Sequence, residues 1–486
     1  MTICFKGTAC KYEIEAVMKL FIPVETFEFL YEETVSEGDH ALISADNSGD
    51  KTVLSCEVFF EGKHCEKSRE IATGEDTELP LCQLLYKCMN EITGIVPEWG
   101  CITGIRPVKK VNALLDRGFS KAEIFADIKE KYYTSDNKLE LAYLTAVTQR
   151  DALKTLKNNS YSLYIAIPFC PSRCSYCSFV SHSIETPNAK KLIPQYVDKL
   201  CEELELTAKI ADETGLFLDT VYIGGGTPTS LSAEQIEKIM KTVKKFFDIS
   251  KIREYTVEAG RCDTITPEKL SVIKENGADR ISINPQTMNA DVLKAIGRRH
   301  SPEAVVKAFE QARAAGFDNI NMDTIAGLPT DTPESFKSTI EQLISLDPEE
   351  ITVHTLTLKR AANLFRDDQL VSDENIAEMV DFSAKRLTEA GYLPYYLYRQ
   401  KNTLKNLENV GYAKAGKEGL YNIYIMEEAQ TIIACGASAS TKLFDPQTGK
   451  IERIFNYKYP YEYISRFDTM CGKKAEIKRF FQEELL

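Results

Sequence analysis

The chain has 486 residues, about three times the length of a typical domain, so two or three domains are expected. Apolar residues make up 43% and charged residues 27% of it, which is ordinary globular composition and excludes general disorder. The net charge of −13, without a long basic run, argues against binding to nucleic acid. The first residues lack the pattern of a signal peptide, and no apolar run approaches the ~18 residues that span a bilayer. We therefore expect a soluble, cytosolic protein.

Residues 1–155 show no repeating alternation of strands and helices. Residues 53–60 are β-branched and aromatic enough for a strand, and the turn sequence D-N-S-G-D precedes them. Residues 81–155 have a mostly helical pattern, interrupted near Pro97, Gly104 and Pro107. This part of the chain is predicted to be an N-terminal α+β accessory domain.

Between residues 156 and 400 the pattern changes to short β-rich runs separated by amphipathic helices. The predicted strands are 162–167, 220–223, 254–259, 280–284, 319–323 and 350–356. Helix starts are indicated by a capping box at Ser232 and by N-cap residues before Pro302 and Pro333, and Gly316 suits a helix end. Six strands alternating with helices predict an α/β fold with a parallel sheet. Spacing alone does not distinguish a partial barrel from an open doubly wound sheet, but in both the ligand lies at the carboxyl ends of the strands.

Fourteen cysteines in a cytosolic chain argue for reduced thiols, and most of them are expected to be small buried hydrophobic residues. Cys170, Cys174 and Cys177 are the exception, because they cluster directly after the first predicted strand of the sheet. Three thiolates could hold zinc if a fourth ligand came from elsewhere, for which His182 is a weak candidate. They also suit a [4Fe–4S] cluster with one iron open to a small molecule, and soft thiolate ligands favour this interpretation over zinc.

Other strand ends carry residues that suit a ligand cavity. The second predicted strand ends in G-G-G-T-P, and consecutive glycines let the backbone approach a ligand closely, although a tight turn is the commoner explanation. Glu258, Gln286 and Asp323 lie at the ends of the next three predicted strands, where a solvated rim is the alternative. Arg298 could pair with a ligand carboxylate, although a surface arginine is the default.

These motifs resemble those of the radical S-adenosylmethionine superfamily. The resemblance covers roughly residues 160–400 and is carried by Y-I-A-I-P-F-C-P-S-R-C-S-Y-C-S-F, G-G-G-T-P-T, R-I-S-I-N-P-Q-T-M, L-K-A-I-G-R-R-H and F-D-N-I-N-M-D-T-I-A-G-L-P. Within the superfamily the chain resembles the oxygen-independent coproporphyrinogen III oxidases and the related heme chaperones. The segments T-G-I-R-P at 103–107 and Y-R-Q-K-N at 398–402 most resemble the HemZ-type branch. The fold that this implies is a six-unit (βα) partial barrel.

The resemblance also implies a role for individual residues. Cys170, Cys174 and Cys177 would hold a [4Fe–4S] cluster, and S-adenosylmethionine would bind its fourth iron. The positions matching contacts to this cofactor are Tyr164, Gly225 and Glu258. Those matching contacts to a second molecule of it are Tyr176, Gly226, Thr227, Gln286, Arg298, Asp323 and Leu356.

The implied activity is oxidative decarboxylation of coproporphyrinogen III to protoporphyrinogen IX. Partners would be the tetrapyrrole and an electron-donor protein. Two positions depart from the oxidases: Phe179 stands where they carry a fourth cysteine, and Ala166 where the family has a histidine. A heme chaperone without decarboxylase activity and a radical heme-modifying enzyme are therefore the alternatives.

Residues 401–486 are predicted to form a small C-terminal α/β extension on the substrate side. One hypothesis assigns Tyr395, Tyr398, Arg399 and Lys401 to a lid over the open end of the sheet, because flat rings beside cations suit a tetrapyrrole with carboxylates on its rim. The alternative is that the tyrosines pack in a small core while the cations are solvated.

Overall fold

The computed structural model describes residues 1–483 except 24–25, 33–37, 48, 178, 180–181, 358–372 and 400–405. Spatial contacts divide the chain into two compact units. The first comprises Met1–Tyr143 with Arg399–Leu407, and the second comprises Leu144–Tyr398 with Glu408–Leu486. The domain boundaries predicted from the sequence, at residues 155 and 400, stay predictions.

The first unit is an α+β arrangement with one five-stranded sheet. Its strands are β1 (Thr2–Lys6), β2 (Glu28–Tyr31), β3 (His40–Asp46), β4 (Lys51–Phe60) and β5 (Lys63–Ala72). Its helices are α1 (Lys11–Met18), α2 (Glu78–Thr93), α3 (Val108–Asp116) and α4 (Lys121–Tyr132), and α5 (Asp136–Lys154) continues into the second unit. The sheet order is β2-β1-β3-β4-β5, with β1 parallel to both neighbours and β3, β4 and β5 antiparallel. The strand predicted at 53–60 is part of β4.

The second unit contains an eleven-stranded sheet and a separate two-stranded ladder. The large sheet is formed by β6 (Ser160–Ile167), β9 (Phe217–Gly225), β10 (Glu254–Gly260), β11 (Arg280–Ile283), β12 (Ile320–Ala326), β13 (Glu350–Thr355), β14 (Leu393–Arg399), β15 (Glu408–Ala413), β16 (Thr431–Cys435), β17 (Ser440–Phe444) and β18 (Ile451–Phe455). The ladder is formed by β7 (Phe169–Cys170) and β8 (His182–Ser183), which pair in parallel.

Besides α5, the second unit contains eleven α-helices among its described residues, and three of them begin where the sequence predicts. The eleven helices are α6 (Pro187–Glu213), α7 (Ala233–Phe246), α8 (Pro267–Glu275), α9 (Ala290–Ala295), α10 (Pro302–Ala314), α11 (Pro333–Leu346), α12 (Asp373–Glu389), α13 (Leu420–Glu427), α14 (Pro460–Ser465), α15 (Phe467–Lys473) and α16 (Ala475–Glu483). The capping box before α7 is formed by Ser232 and Gln235. Ser301 and Thr332 cap α10 and α11, each followed by proline, which has no N–H to leave unpaired. Gly316 follows α10 with a φ of +87°.

The six predicted strands form the centre of the large sheet and are all parallel. Its order is β14-β15-β13-β12-β11-β10-β9-β6-β16-β17-β18, and the consecutive pairs from β6 to β13 are parallel. All six carboxyl ends therefore lie at one edge, as the βα alternation requires. The prediction of a parallel α/β partial barrel is confirmed, and the tail extends the same sheet with β15 on one side and β16 to β18 on the other.

A buried ion pair anchors the C-terminal helices to α6 within the second unit. Lys474 Nζ lies 3.0 Å from Glu203 Oε1, and both side chains are at most 3% exposed. The Glu203 carboxylate also accepts bonds from the backbone N–H of Gly436, from Asn456 and from Tyr463. Such a pair is stable because each charge is compensated and hydrogen-bonded.

The residues assigned to a lid are instead structural where they are described. Tyr395 is fully buried on β14 and donates to Glu350 Oε2 at 2.6 Å. Arg399, only 5% exposed, donates to the carbonyl of Ile102 and, at 2.9 Å, to that of Asn406, all within the first unit. The lid hypothesis is wrong for these two residues, and so is the alternative that Arg399 is solvated, because its donors are used by backbone carbonyls. Tyr398 stacks on Tyr396 at 6.3 Å, and Lys401 lies outside the described residues.

The isolated cysteines are mostly buried, as predicted. Cys4, Cys56, Cys65, Cys82, Cys88, Cys101, Cys262 and Cys435 are buried, while Cys10, Cys201 and Cys471 are partly exposed, and all are free thiols. Across the part of the chain that the structure describes, no helix has the length and apolar character needed to cross a membrane.

Candidate active site

The three clustered cysteines lie on a loop whose ends are held together by the β7–β8 ladder. The backbone N–H of His182 donates to the Pro168 carbonyl at 2.9 Å, and that of Ile184 donates to the Cys170 carbonyl at 2.9 Å. Within the loop, Cys177 N donates to Cys174 O at 3.1 Å. The loop therefore leaves the sheet at the end of β6 and returns beside its own start.

The cysteine side chains fit an iron–sulfur cluster. Cys174 is buried, whereas Cys170 and Cys177 are partly exposed. Burial raises the pKa of the Cys177 thiol, and the nearby thiols of Cys174 and Cys170 raise it further. Among the described residues, no three His, Cys, Asp or Glu side chains converge as the ligands of one metal ion would. In a [4Fe–4S] cluster each cysteine binds a different iron, and three thiols on one short loop suit that arrangement.

The glycine run at the end of β9 lies directly against the cysteine loop. Gly226 N donates to Ile167 O at 2.7 Å, and Thr227 N donates to Phe169 O at 2.8 Å. A Cβ atom on Gly226 would lie 2.6 Å from the Phe169 carbonyl oxygen and 3.0 Å from Cys170 Sγ. The Thr227 hydroxyl donates to the same sulfur at 3.5 Å. Glycine is thus required at 226 because the cysteine loop takes the space of a side chain.

Gly225 joins this cradle to Tyr164 and Glu258. Its φ is +109°, and a Cβ there would lie 3.2 Å from Ile167 N and 3.5 Å from the Tyr164 hydroxyl. Its N–H donates to Glu258 Oε2 at 3.3 Å. The three residues that the resemblance assigns to S-adenosylmethionine are therefore adjacent in space.

Glu258 is held in a polar and aromatic pocket that raises its pKa. Burial raises the pKa of this carboxyl to about 7, and the charge of Asp323 also raises it. Hydrogen bonds from the Tyr222 hydroxyl and from Gly225 N oppose this shift because they favour the carboxylate. The amino group of a ligand bound beside Glu258 would favour the carboxylate and lower this pKa.

Two aromatic residues beside Glu258 were missed by the sequence analysis. Tyr222 stacks on Tyr421 with ring centroids 4.4 Å apart, and Tyr164 stacks on both at 6.1 and 6.0 Å. Tyr222 could have been found, because it shares strand parity with the glycine at 224. Tyr421 comes from α13, nearly two hundred residues later in the chain, and no local signal identifies it.

Arg298 is buried beside the cysteine loop, so the default expectation of a surface arginine is wrong. It is 7% exposed, donates to the Tyr176 hydroxyl at 3.2 Å through Nη2, and donates to the Asn284 carbonyl through Nη1. Its Nε has no hydrogen-bond partner. A buried guanidinium with an unused donor fits an anionic or polar ligand.

Gln286, which follows β11, lies beside Asp323 in the middle of β12, three residues beyond which the strand ends. Gln286 has a φ of +68°, and its N–H donates to the Asp323 carbonyl at 2.9 Å. Its side-chain Oε1 is buried without a partner. The Asp323 carboxylate accepts from Asn321 at 2.7 Å and lies 3.8 Å from His354 Nε2. A strained backbone and an unsatisfied amide at a strand end are typical of a ligand site.

Leu356 is connected to this group through its backbone. Its N–H donates to the Ala326 carbonyl at 3.0 Å, and its side chain is 3% exposed, so any contact with a ligand would be small. All ten predicted cofactor positions and the three cysteines thus lie on strands of the same parallel sheet or on the segments that follow those strands, with Tyr164 and Asp323 inside β6 and β12. The predicted ligand roles themselves stay predictions.

Comparison with known proteins agrees with this arrangement. Residues 164–343 match the Radical SAM superfamily. The chain is 37% identical over 467 residues to the Bacillus subtilis oxygen-independent coproporphyrinogen-III oxidase-like protein HemZ, covering 94% of this chain and 92% of that protein. It is 33% identical over 302 residues to the B. subtilis heme chaperone HemW, covering 61% and 74% of the two chains.

The solved structure of coproporphyrinogen III oxidase (HemN) from Escherichia coli has a similar fold. The two superimpose with a TM-score of 0.51 at 23% identity, over 70% of this chain and 78% of that chain. The cysteine loop, the glycine cradle and the extent of the match to HemZ show that this chain belongs to the radical S-adenosylmethionine superfamily, among the oxygen-independent coproporphyrinogen-III oxidase-like proteins.

Proposed function

We propose that this protein is a radical S-adenosylmethionine oxidoreductase of porphyrin metabolism that decarboxylates coproporphyrinogen III to protoporphyrinogen IX. Membership of the superfamily implies a [4Fe–4S] cluster and S-adenosylmethionine. The observation that carries the proposal is the contact between the glycine cradle and Cys170, with Glu258 hydrogen-bonded to the same run of glycines. Cluster ligands and cofactor-binding groups are thereby adjacent.

The proposed division of roles follows from the contacts. Cys170, Cys174 and Cys177 hold the cluster. Glu258 and the bare backbone at Gly225 hold the amino and carboxylate groups of S-adenosylmethionine, with the Tyr164 ring beside them.

A second ligand position is proposed next to the first. It is formed by Tyr176, Gly226, Thr227, Gln286, Arg298, Asp323 and Leu356. The unused donor of Arg298 and the unused acceptor of Gln286 support a polar ligand there, because buried polar groups are rarely left unpaired. A second molecule of S-adenosylmethionine would satisfy both.

When bound, the reduced cluster and S-adenosylmethionine would supply a carbon radical that takes hydrogen from a propionate side chain, after which loss of CO2 and of one electron to an acceptor leaves a vinyl group. The chain's own contribution is to orient both ligands and to exclude water. The aromatic stack of Tyr164, Tyr222 and Tyr421 does this on one side of Glu258.

A heme chaperone is the second candidate, and Phe179 favours it. This side chain is 65% exposed at the position where the oxidases carry a fourth cysteine. An exposed aromatic ring beside the cluster loop could contact a flat apolar ligand such as heme.

The missing histidine at position 166 has a structural reason. Ala166 is 4% exposed and packs against Ala434 and Ala439. A Cβ atom on Gly436 would lie 3.3 Å from the Ala166 Cβ. A histidine at position 166 would therefore have to displace small buried neighbours.

Product analysis separates the candidates. Anaerobically reconstituted protein is incubated with a reductant, S-adenosylmethionine and either coproporphyrinogen III or heme. The masses of the products are then measured by mass spectrometry. Decarboxylated porphyrinogen together with 5′-deoxyadenosine supports the oxidase. Unaltered, tightly bound heme with no decarboxylation supports the chaperone, and heme of changed mass supports a heme-modifying enzyme. The Cys174→Ala variant is the control and should give none of the radical products.

A further inference from the structure

A cavity of about 520 Å³ lies beside the cysteine loop, on the side of α9. Ser172 and Arg173, which lie between the first two cluster cysteines, form one wall. The other wall runs from Ala290 to His300 and includes Lys294. The walls are tied together, because Ser175 N donates to the Ile296 carbonyl at 3.2 Å.

The lining of this cavity is strongly positive in an otherwise acidic protein. Four of its eight described lining residues are cations, and none of the eight is acidic: the cations are Arg173, Lys294, Arg298 and Arg299. Arg173, Lys294 and Arg299 are exposed, whereas Arg298 is buried. Arg299 contacts Glu185 at 2.7 Å, but both side chains are more than half exposed, so the pair is weak. The chain as a whole carries a charge of −13, which makes this a local reversal of sign.

The positive lining reaches the cysteine loop through Arg298, and Arg261, which lies outside the lining, contacts the same loop. Arg298 donates a hydrogen bond of 3.2 Å to the hydroxyl of Tyr176, the residue directly before Cys177. Arg261 donates to Ser172 Oγ at 2.8 Å and lies 3.9 Å from Cys174 Sγ. His300, 8% exposed, also lines the cavity, and neither of its ring nitrogens has a hydrogen-bond partner. The cavity is therefore a place where the surface comes close to the cysteine loop with unused polar groups.

We propose that this cavity is the docking site of the electron donor, an acidic one-electron carrier protein such as a ferredoxin. This inference rests on the proposed function, which requires an electron from outside the chain for each cleavage of S-adenosylmethionine. Electron transfer slows steeply with distance, so a donor must approach the cysteine loop closely. Exposed cations around the cavity raise the association rate of an acidic partner. They also direct that partner to the cavity and not to the acidic remainder of the surface.

The test uses charge reversal outside the cysteine loop. Lys294→Glu and Arg299→Glu are compared with Lys241→Glu, which removes an exposed cation that is likewise paired with a glutamate, on α7 outside the cavity. The dissociation constant of an acidic plant-type ferredoxin for each protein without its cluster is measured at low ionic strength. We expect binding about tenfold weaker in the two cavity variants, unchanged binding in the control, and convergence of all four proteins at high salt.

A second measurement uses the reconstituted proteins. Reduction of the cluster is followed by absorbance with reduced ferredoxin or with photoreduced deazariboflavin, a small reductant that needs no protein docking. The cavity variants should slow only the ferredoxin reaction, by about tenfold.

Each outcome decides between the proposals. Unchanged ferredoxin binding and reduction in both variants would overturn the docking site and leave the proposed function intact. Equal slowing with both reductants would also overturn it, since the residues would then act on the cluster itself. If wild-type protein takes up no cluster, the proposed function fails and the docking site with it.

Discussion

Replacing Glu258 by glutamine should stabilise the protein without its cofactors at alkaline pH, although it weakens cofactor binding. The folded state raises the pKa of this carboxyl from 4.5 to about 7, chiefly by burial. Between these values the unfolded chain has released the proton and the folded chain keeps it. The folded protein therefore has no free-energy penalty from Glu258 below pH 4.5, and its free energy of unfolding falls as pH rises from 4.5 through about 7.

The size of the effect follows from the shift. Keeping an ionised carboxylate in this pocket costs about 3 kcal/mol at pH 8 and less than about 1 kcal/mol at pH 5. Glutamine removes that cost and still accepts from Tyr222. Its NH2 group would face the Gly225 N–H, which now donates to the carboxylate at 3.3 Å, and this loses about 1 kcal/mol. Glu258→Gln should thus be about 2 kcal/mol more stable than wild type at pH 8 and equal to it at pH 5.

Two assays test this reasoning. Urea unfolding of the protein without its cofactors, followed by circular dichroism at pH 5 and pH 8, gives the stability difference. Binding of S-adenosylmethionine to the anaerobically reconstituted variant should weaken by about 1.5–3 kcal/mol, the range for a hydrogen bond to a charged group. A stability difference that does not change with pH would show that Glu258 is not held in the environment described. Unchanged binding would show that the cofactor lies elsewhere.

Three further substitutions test the cysteine loop, the first unit and the tail. Gly226→Ala should reduce the iron content after reconstitution to less than about half and destabilise the fold by about 1–3 kcal/mol, because a Cβ would lie 2.6 Å from a carbonyl oxygen. Gly472→Ala, with no atom within 4 Å of the added Cβ, is its control and should retain full iron content. Arg399→Ala should cost about 3 kcal/mol in thermal unfolding and leave porphyrin binding unchanged, since its donors serve backbone carbonyls. Lys474→Met should cost about 3–5 kcal/mol in urea unfolding, because it leaves Glu203 buried without a counter-charge.

Opposite results would contradict each of these in a specific way. Full iron content in Gly226→Ala would mean that the cysteine loop can move off the glycine run. A normal melting temperature with weakened porphyrin binding in Arg399→Ala would restore the lid hypothesis. An unchanged unfolding free energy in Lys474→Met would mean that the buried carboxylate is compensated by its hydrogen bonds alone.

The cysteine loop and the parallel strands were predictable because their signals are local. Three cysteines within eight residues, the glycine run and the alternation of strands with capped helices are all written in contiguous segments. Parallel strands joined by helices have only one edge at which their carboxyl ends can meet, so the gathering of Cys170, Gly226 and Glu258 follows from the order of elements.

Tertiary packing decided the contacts, the burial and the pKa of the individual side chains. The Tyr421 ring reaches Tyr222 from a helix far along the chain, and no periodicity encodes that contact. The sequence offers Arg298 and Arg399 either as ligand contacts or as solvated cations. Both are instead buried, and backbone carbonyls accept hydrogen bonds from them. The pKa of Glu258 likewise depends on how much water its neighbours exclude, and desolvation is a property of the folded environment and not of a motif.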